Sequence, residues 1–134
     1  MVMTLTRIVD QWFRIVTSCE EGRWMAHASR GETGDRFGPG IGGATEAEAV
    51  AGLTRWLEWQ AEHSALLGRL QAAERRYHLS VTSSAFGSLE EEAGARERRA
   101  AALGELDAAR RALDAVRGRR PEYTVNHLSG NDVN

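Results

Sequence analysis

The sequence predicts an α+β protein, in which a small three-stranded antiparallel sheet is followed by a long antiparallel helical hairpin. Segments that alternate apolar and polar residues, as strands do, lie in the first third of the chain. Two later segments repeat apolar residues every three or four positions, as helices do. A chain of 134 residues suits one folding unit. We assign that unit to residues 1–120, with a β-rich segment at 1–44, helices at 45–79 and 89–118, and a mobile polar tail at 121–134.

Two strands joined by a tight turn are predicted near the N-terminus. The segment QWFRIVTSC at 11–19 is rich in β-branched and aromatic residues, and Phe13, Ile15 and Thr17 share one of its faces. An EEG turn separates it from RWMAHAS, so the two segments predict an antiparallel hairpin. The entry segment TLTRIV stays open, because its apolar spacing fits a helix and its composition fits a strand.

The glycine-rich stretch RGETGDRFGPGIGGAT at 30–45 is predicted to be mostly turn, with at most one short edge strand around 36–41. Within it, Gly38, Gly40 and Gly43 match the phosphate-binding pattern G-x-G-x-x-G. That pattern binds phosphate when a buried parallel strand precedes it, whereas the polar segment RGETGDRF comes before it here. We therefore predict a turn and not a phosphate site.

The first helix is predicted to begin at Thr45, since Thr45 and Glu48 form a T-x-x-E capping box that satisfies backbone N–H groups. Steps of three and four then mark a helix-packing seam of the coiled-coil type. Its members are Ala49, Leu53, Trp56, Gln60, His63, Leu67, Leu70, Glu74 and Tyr77.

The second helix is predicted after the interruption SVTSSAFGS, where Ser88 and Glu91 form another capping box. Gly118 and Pro121 fit its end. Its apolar stripe consists of Ala95, Ala102, Leu106, Ala109, Leu113 and Val116. A short linker between two long helices favours an antiparallel pair, because both stripes then face each other.

Three seam residues are polar, namely Gln60, His63 and Glu74. Polar groups in a seam lower stability and commonly select the register, the number of partners or a bound group. Partial exposure of the seam to water explains these polar residues equally well.

Composition and charge narrow the classes of function. The 17 basic residues, all arginine, nearly balance 19 acidic ones, and no basic stripe is present to bind a phosphate backbone. No apolar stretch approaches the ~20 residues that span a bilayer, and the start has no basic region before an apolar core. The lone Cys19 excludes an intrachain disulfide. We expect a cytoplasmic protein that binds neither membrane nor nucleic acid.

Ligand and catalytic patterns are weak. Glu74 and His78 have the i,i+4 spacing of metal ligands, and His63 lies near the same seam, so a metal held between the helices is the alternative interpretation. Cys19 and His27 can meet across the predicted hairpin. A nucleophile also needs an oriented base and an oxyanion site, and no nearby residue supplies either. We therefore predict no catalytic residue, no metal and no cofactor.

The first half of the chain resembles the β-β-β-α domain of HicB-type antitoxins, which are bacterial proteins. The resemblance covers residues 11–62 and lies in their order: a strand, an EEG turn, a strand carrying an aromatic residue, a glycine-rich segment, then T-x-x-E-A and a helix with regularly spaced leucines. It implies a three-stranded sheet with a helix laid across one face. No DNA-binding residue can be transferred, because a charge-balanced helical hairpin stands where those antitoxins carry a DNA-binding motif.

The function predicted from these patterns is that of a non-enzymatic interaction or adaptor protein that forms a homodimer through its hairpin. A second copy would cover the apolar positions Leu57, Leu66 and Leu103 that two helices leave over. Trp56 and Trp59 cannot both face the same neighbour, so with Leu66 they form the predicted partner-binding set. The alternatives are an antitoxin-like regulator that binds a small toxin, and a protein that binds a small ligand or metal.

Overall fold

The computed structural model describes residues 2–82 and 89–122 of the chain. An antiparallel sheet is followed by two helices, so the α+β class predicted from the sequence is confirmed. The elements are β1 (Val2–Ile8), β2 (Gln11–Glu20), β3 (Arg23–Arg30), β4 (Arg36–Gly43), α1 (Glu46–Thr82) and α2 (Leu89–Gly118).

The sheet has four strands, in the order β1-β2-β3-β4, where the sequence predicts three. The additional strand is β1, which pairs with β2 from Val2 opposite Thr17 to Ile8 opposite Gln11. The glycine-rich segment is also more regular than predicted, because β4 pairs with β3 along Arg36–Gly43 and is not a turn. A strand needs only backbone groups to join a sheet, so the glycines weaken β4 without preventing its pairing.

Tight two-residue turns join the first three strands. Glu21 and Gly22 have φ values of 53° and 78°, which suit the hairpin turn predicted from EEG. The earlier turn places Val9 at a φ of 57°, an uncommon conformation for a β-branched residue.

The core of the sheet lies on the face that α1 covers. Phe13 and Phe37 have ring centroids 5.2 Å apart, and Phe37 meets Trp56 edge-on at 6.0 Å. Each large apolar side chain buried in this way contributes about 1.5–3 kcal/mol. The buried members are Ile8, Phe13, Ile15, Ala26, Ala28, Ile41, Ala49, Leu53, Trp56 and Leu57.

The start of α1 is capped and tied to the sheet by side chains. The Thr45 hydroxyl accepts a hydrogen bond from the Glu48 backbone N–H at 3.1 Å, as the capping box predicts. The Glu48 carboxylate accepts from the N–H of Ala44 at 3.0 Å, one residue before the cap. The buried hydroxyl of Thr17 donates to the Glu46 carboxylate at 2.6 Å, which links β2 to the first turn of the helix.

Helix α1 continues to Thr82, three residues beyond the predicted end. The Ser80 hydroxyl donates to the Tyr77 carbonyl at 2.7 Å and that of Thr82 to the His78 carbonyl at 3.1 Å. The serine and threonine hydroxyls thus donate to carbonyls of the preceding turn, and both residues remain in the helix. The bounds of α2 match the prediction, whereas its proposed cap Ser88 and the tail at 123–134 lie outside the described residues.

Contacts divide the chain into two compact units, where the sequence predicts one folding unit over 1–120. We call Met1–Ala61 with Arg120–Asn134 the sheet unit and Glu62–Arg119 the hairpin unit, and the boundary falls inside α1.

In the hairpin unit the two helix segments run antiparallel. Glu62 pairs with Arg119 at 3.3 Å, and further along α1 Arg76 pairs with Glu105 at 2.7 Å. Residues later in α1 therefore lie beside residues earlier in α2. The unit's core cluster contains Ala73, Leu106 and Ala109, with Leu70 and Tyr77 packed against it.

Candidate functional site

Trp56 belongs to the core of the sheet unit and not to a surface. Only 7% of it is exposed, and we do not retain it as a partner-binding residue. Its neighbour Gly38 explains the fit, because a Cβ there would lie 2.5 Å from the indole ring. Leu57, which the sequence assigns to a dimer surface, is buried in the same core, so that assignment is corrected.

Trp59 and Leu66 keep the role predicted for them as an untested expectation. Trp59 is half-buried, and the guanidinium carbon of Arg120 lies 5.5 Å from its ring centroid, a cation–π geometry. Leu66, one of the hairpin-unit residues of α1, is also half-buried. Both side chains therefore retain some accessible apolar surface.

The three polar seam residues Gln60, His63 and Glu74 are all half-buried. The His63 Nε2 lies 3.4 Å from the Arg117 Nε, which donates to it across the helix pair. Beside Glu74, it is Ala73 that occupies the fully buried position. The seam thus passes from Leu70 through Ala73 to Tyr77, and Glu74 lies at its border.

The hairpin unit exposes large apolar side chains near one end. Leu79 is 67% and Leu103 is 42% exposed. The ion pair of Arg76 with Glu105 places these two leucines at a similar level along the antiparallel helices. Val81, also exposed, follows on α1. We call Leu79, Val81 and Leu103 together the apolar end of the hairpin unit, although Leu79 and Val81, two residues apart on α1, project from different sides of that helix.

The weak ligand and catalytic patterns do not assemble. Among the residues that the structure describes, no three His, Cys, Asp or Glu side chains are grouped so that they could hold a metal ion. His27 lies opposite Val16 and Cys19 lies opposite Trp24. Because Val16 and Cys19 are three residues apart on one strand, Cys19 and His27 project from opposite faces of the sheet.

His27 instead pairs with an arginine on the sheet face that α1 does not cover. The Arg36 Nη2 donates to the His27 Nδ1 at 2.7 Å, which requires that nitrogen to be unprotonated. Partial burial, and secondarily the charge of Arg36, lower the pKa of His27 below its usual value. The ring packs over Gly40, where a Cβ would lie 2.6 Å from its Cε1. The geometry is that of a structural pair.

A cleft of about 510 Å³ is the feature that the sequence did not indicate. It lies in the sheet unit, between the end of β4 and the first turns of α1, and its charged side chains are Arg23, Glu48, Arg55 and Glu122. The remaining lining residues are Gly22, Ile41, Gly42, Gly43, Ala44 and Gly52, four of which are glycines. Of the G-x-G-x-x-G glycines only Gly43 reaches it, and the cap carboxylate of Glu48 stands where a phosphate would approach the helix start.

The comparisons with known proteins return no match: no protein-family model, no curated protein and no solved structure is similar to this chain. The resemblance to HicB-type antitoxins therefore stays a prediction. No helix in the described ranges has both the length and the apolar character needed to cross a bilayer.

Proposed function

We propose that the chain is a non-enzymatic interaction protein of the cytoplasm that forms a homodimer through its hairpin unit and binds a further protein. The observation that carries the proposal is the apolar end of the hairpin unit, where Leu79, Val81 and Leu103 are exposed. Large apolar side chains exposed to water on a folded unit gain free energy when a second chain covers them.

The composition of the hairpin core supports the same conclusion. Four of its buried positions are alanines, at Ala73, Ala95, Ala102 and Ala109. An alanine removes little apolar surface from water, and burial contributes only ~25 cal/mol per Å². A pair of helices with such a core gains stability when a second pair covers its remaining apolar side chains, as in four-helix arrangements.

Two matched leucines test the proposal. Leu103 on the hairpin unit and Leu5 on β1 are 42% and 55% exposed, so a change to glutamate adds the same charge at similar cost to the monomer. We expect sedimentation velocity to show a dimer for the unchanged chain and for Leu5→Glu, and a monomer for Leu103→Glu. An unchanged chain that sediments as a 14.8 kDa monomer at micromolar concentration would contradict the proposal.

An antitoxin-like regulator is the second candidate. The order of β2, β3, β4 and α1, with the helix packed on one sheet face, supports it because this is the arrangement the resemblance implies over residues 11–62. Co-expression with a small basic ribonuclease encoded beside the gene is the test. A stable complex in which the ribonuclease is inactive would favour the regulator over a general adaptor.

A further inference from the structure

We propose that the cleft beside β4 binds an extended, acidic segment of a partner protein. The inference rests on the proposed interaction function and names the kind of partner that the sheet unit accepts. It is carried by three properties of the cleft: an unpaired strand edge, walls rich in glycine, and two arginines.

The first property is the unpaired edge of β4. β4 is the last strand of the sheet, so among the described residues it pairs with β3 along one side only. Exposed edges of this kind accept an extended peptide as an added strand, held by main-chain hydrogen bonds. Pro39 lacks an N–H and interrupts the edge early in β4, whereas Ile41, Gly42 and Gly43 follow it and line the cleft. The part of the edge that lines the cleft is buried at Ile41 and half-buried at Gly42 and Gly43, and it follows the proline.

Glycines shape the walls of the cleft. A Cβ on Gly43 would lie 2.7 Å from the backbone nitrogen of Ala49, and one on Gly52 would lie 3.0 Å from the Ile41 side chain. Only glycine therefore allows α1 to approach β4 so closely at this point. The groove between strand and helix remains open to about 510 Å³, within the range of known ligand pockets.

The charges select the ligand. Arg23 and Arg55 are exposed, and neither forms an ion pair with a described carboxylate. Glu48 accepts a hydrogen bond from the Ala44 N–H and forms no ion pair with either arginine among the described residues. Guanidinium groups bind carboxylates through paired hydrogen bonds, which favours an acidic side chain on the bound segment. Glu122, which also lines the cleft, is then a competing carboxylate of the chain itself.

The test begins with a library of random octapeptides displayed on phage and selected on the immobilised full chain. We expect the enriched peptides to share an acidic residue beside β-branched residues. One of them, synthesised with a fluorescent label, is then titrated in fluorescence anisotropy against the chain and its variants. Arg55→Gln should weaken binding at least tenfold, as the loss of one charge-assisted contact requires, and Glu122→Gln should tighten it. The matched control Arg69→Gln, an exposed arginine of α1 outside the cleft, should leave binding unchanged.

Backbone pairing has its own control. The same peptide with alternate N-methylated amides cannot add to a strand edge, and it should bind at least tenfold more weakly. The proposal is overturned if no acidic peptide is enriched, if Arg55→Gln binds as tightly as the unchanged chain, or if the N-methylated peptide binds equally. It is also overturned if peptides bind only after the chain is shortened to residue 122, since the cleft would then hold the chain's own C-terminal segment.

Sedimentation of the same variants separates this inference from the proposed function. A dimer that binds no peptide contradicts the cleft proposal alone. A monomer that binds acidic peptide contradicts the hairpin dimer and leaves the cleft proposal standing.

Discussion

The two units of the chain are built from different kinds of core. In the sheet unit, large side chains such as Ile15, Ile41, Leu53 and Leu57 are almost fully inaccessible. In the hairpin unit, four of the seven buried apolar residues that the structure describes are alanines, beside Leu106, Leu113 and Val116, while Leu70 and Tyr77 are only half-buried. The contrast is between a core of large side chains and a core in which small alanines outnumber large ones, and our proposal is that a second copy covers the latter.

The largest expected effect compares the same substitution in both cores. Leu53 in the sheet unit is 0% exposed and Leu106 in the hairpin unit 4%. Leu53→Ala should cost about 4–5 kcal/mol, because the rigid sheet cannot collapse around the cavity. Leu106→Ala should cost about 2–3 kcal/mol, because two helices can close together over a smaller hole. Urea denaturation measures both, and equal losses would remove the distinction between the cores.

The next effect isolates the packing of Trp56. Gly38 and Gly34 have φ values of 81° and 79°, so alanine is equally strained at both. A Cβ at Gly34 would meet nothing within 4 Å, whereas one at Gly38 would strike the Trp56 ring. Gly34→Ala should cost about 1 kcal/mol from backbone strain, and Gly38→Ala about 1–3 kcal/mol more from overpacking. Equal unfolding free energies for the two variants would show that Trp56 is not held against β4.

A smaller effect on stability is expected for Trp59. The half-buried ring and its contact with Arg120 predict that Trp59→Ala lowers stability by less than about 2 kcal/mol. We expect the variant to keep its melting temperature within a few degrees while it loses the dimer or the protein partner. Unfolding of the variant at room temperature would assign Trp59 to the core, and unchanged assembly and binding would make it an ordinary exposed aromatic residue.

The smallest effect is a pH dependence confined to the sheet unit. The folded-state pKa of His27 is lowered, so the unfolded chain binds this proton more readily. Stability from neutral His27 should be complete above about pH 6.5 and be lost as the pH falls toward the folded-state pKa. His27→Gln should reduce the loss of melting temperature between neutral and mildly acidic buffer. The exposed His78→Gln is the control, and an identical pH profile for all three proteins would contradict the assignment.

Regular patterns explain which elements the sequence could predict. The apolar stripe of α2 repeats every three or four residues from Ala102 to Val116, and the predicted bounds of the helix agree with the structure at both ends. In α1, steps of three or four residues allow either Ala73 or Glu74 at one seam position, and the small alanine gives too weak a signal to decide. The strand β1 stays open in the sequence because its apolar spacing also fits a helix, and its hairpin turn uses Val9 at positive φ, where asparagine or glycine is preferred.

Sites assembled from segments distant in sequence cannot be predicted from such patterns. The cleft combines the β2–β3 turn, the end of β4 and the second and third turns of α1, and the His27–Arg36 pair depends on the bulged register between β3 and β4. Spacing along the chain carries no information about such neighbours until the strand register is known.

The proposed dependence of the hairpin unit on a second copy is tested most directly by amide hydrogen exchange of the full chain from low to high micromolar concentration. Stability that comes from association rises with protomer concentration, whereas stability internal to one chain does not. We predict that protection of the amides around Leu106 in α2 increases with concentration, while protection around Ile15 in β2 stays constant. Protection that is independent of concentration in both units would contradict the account.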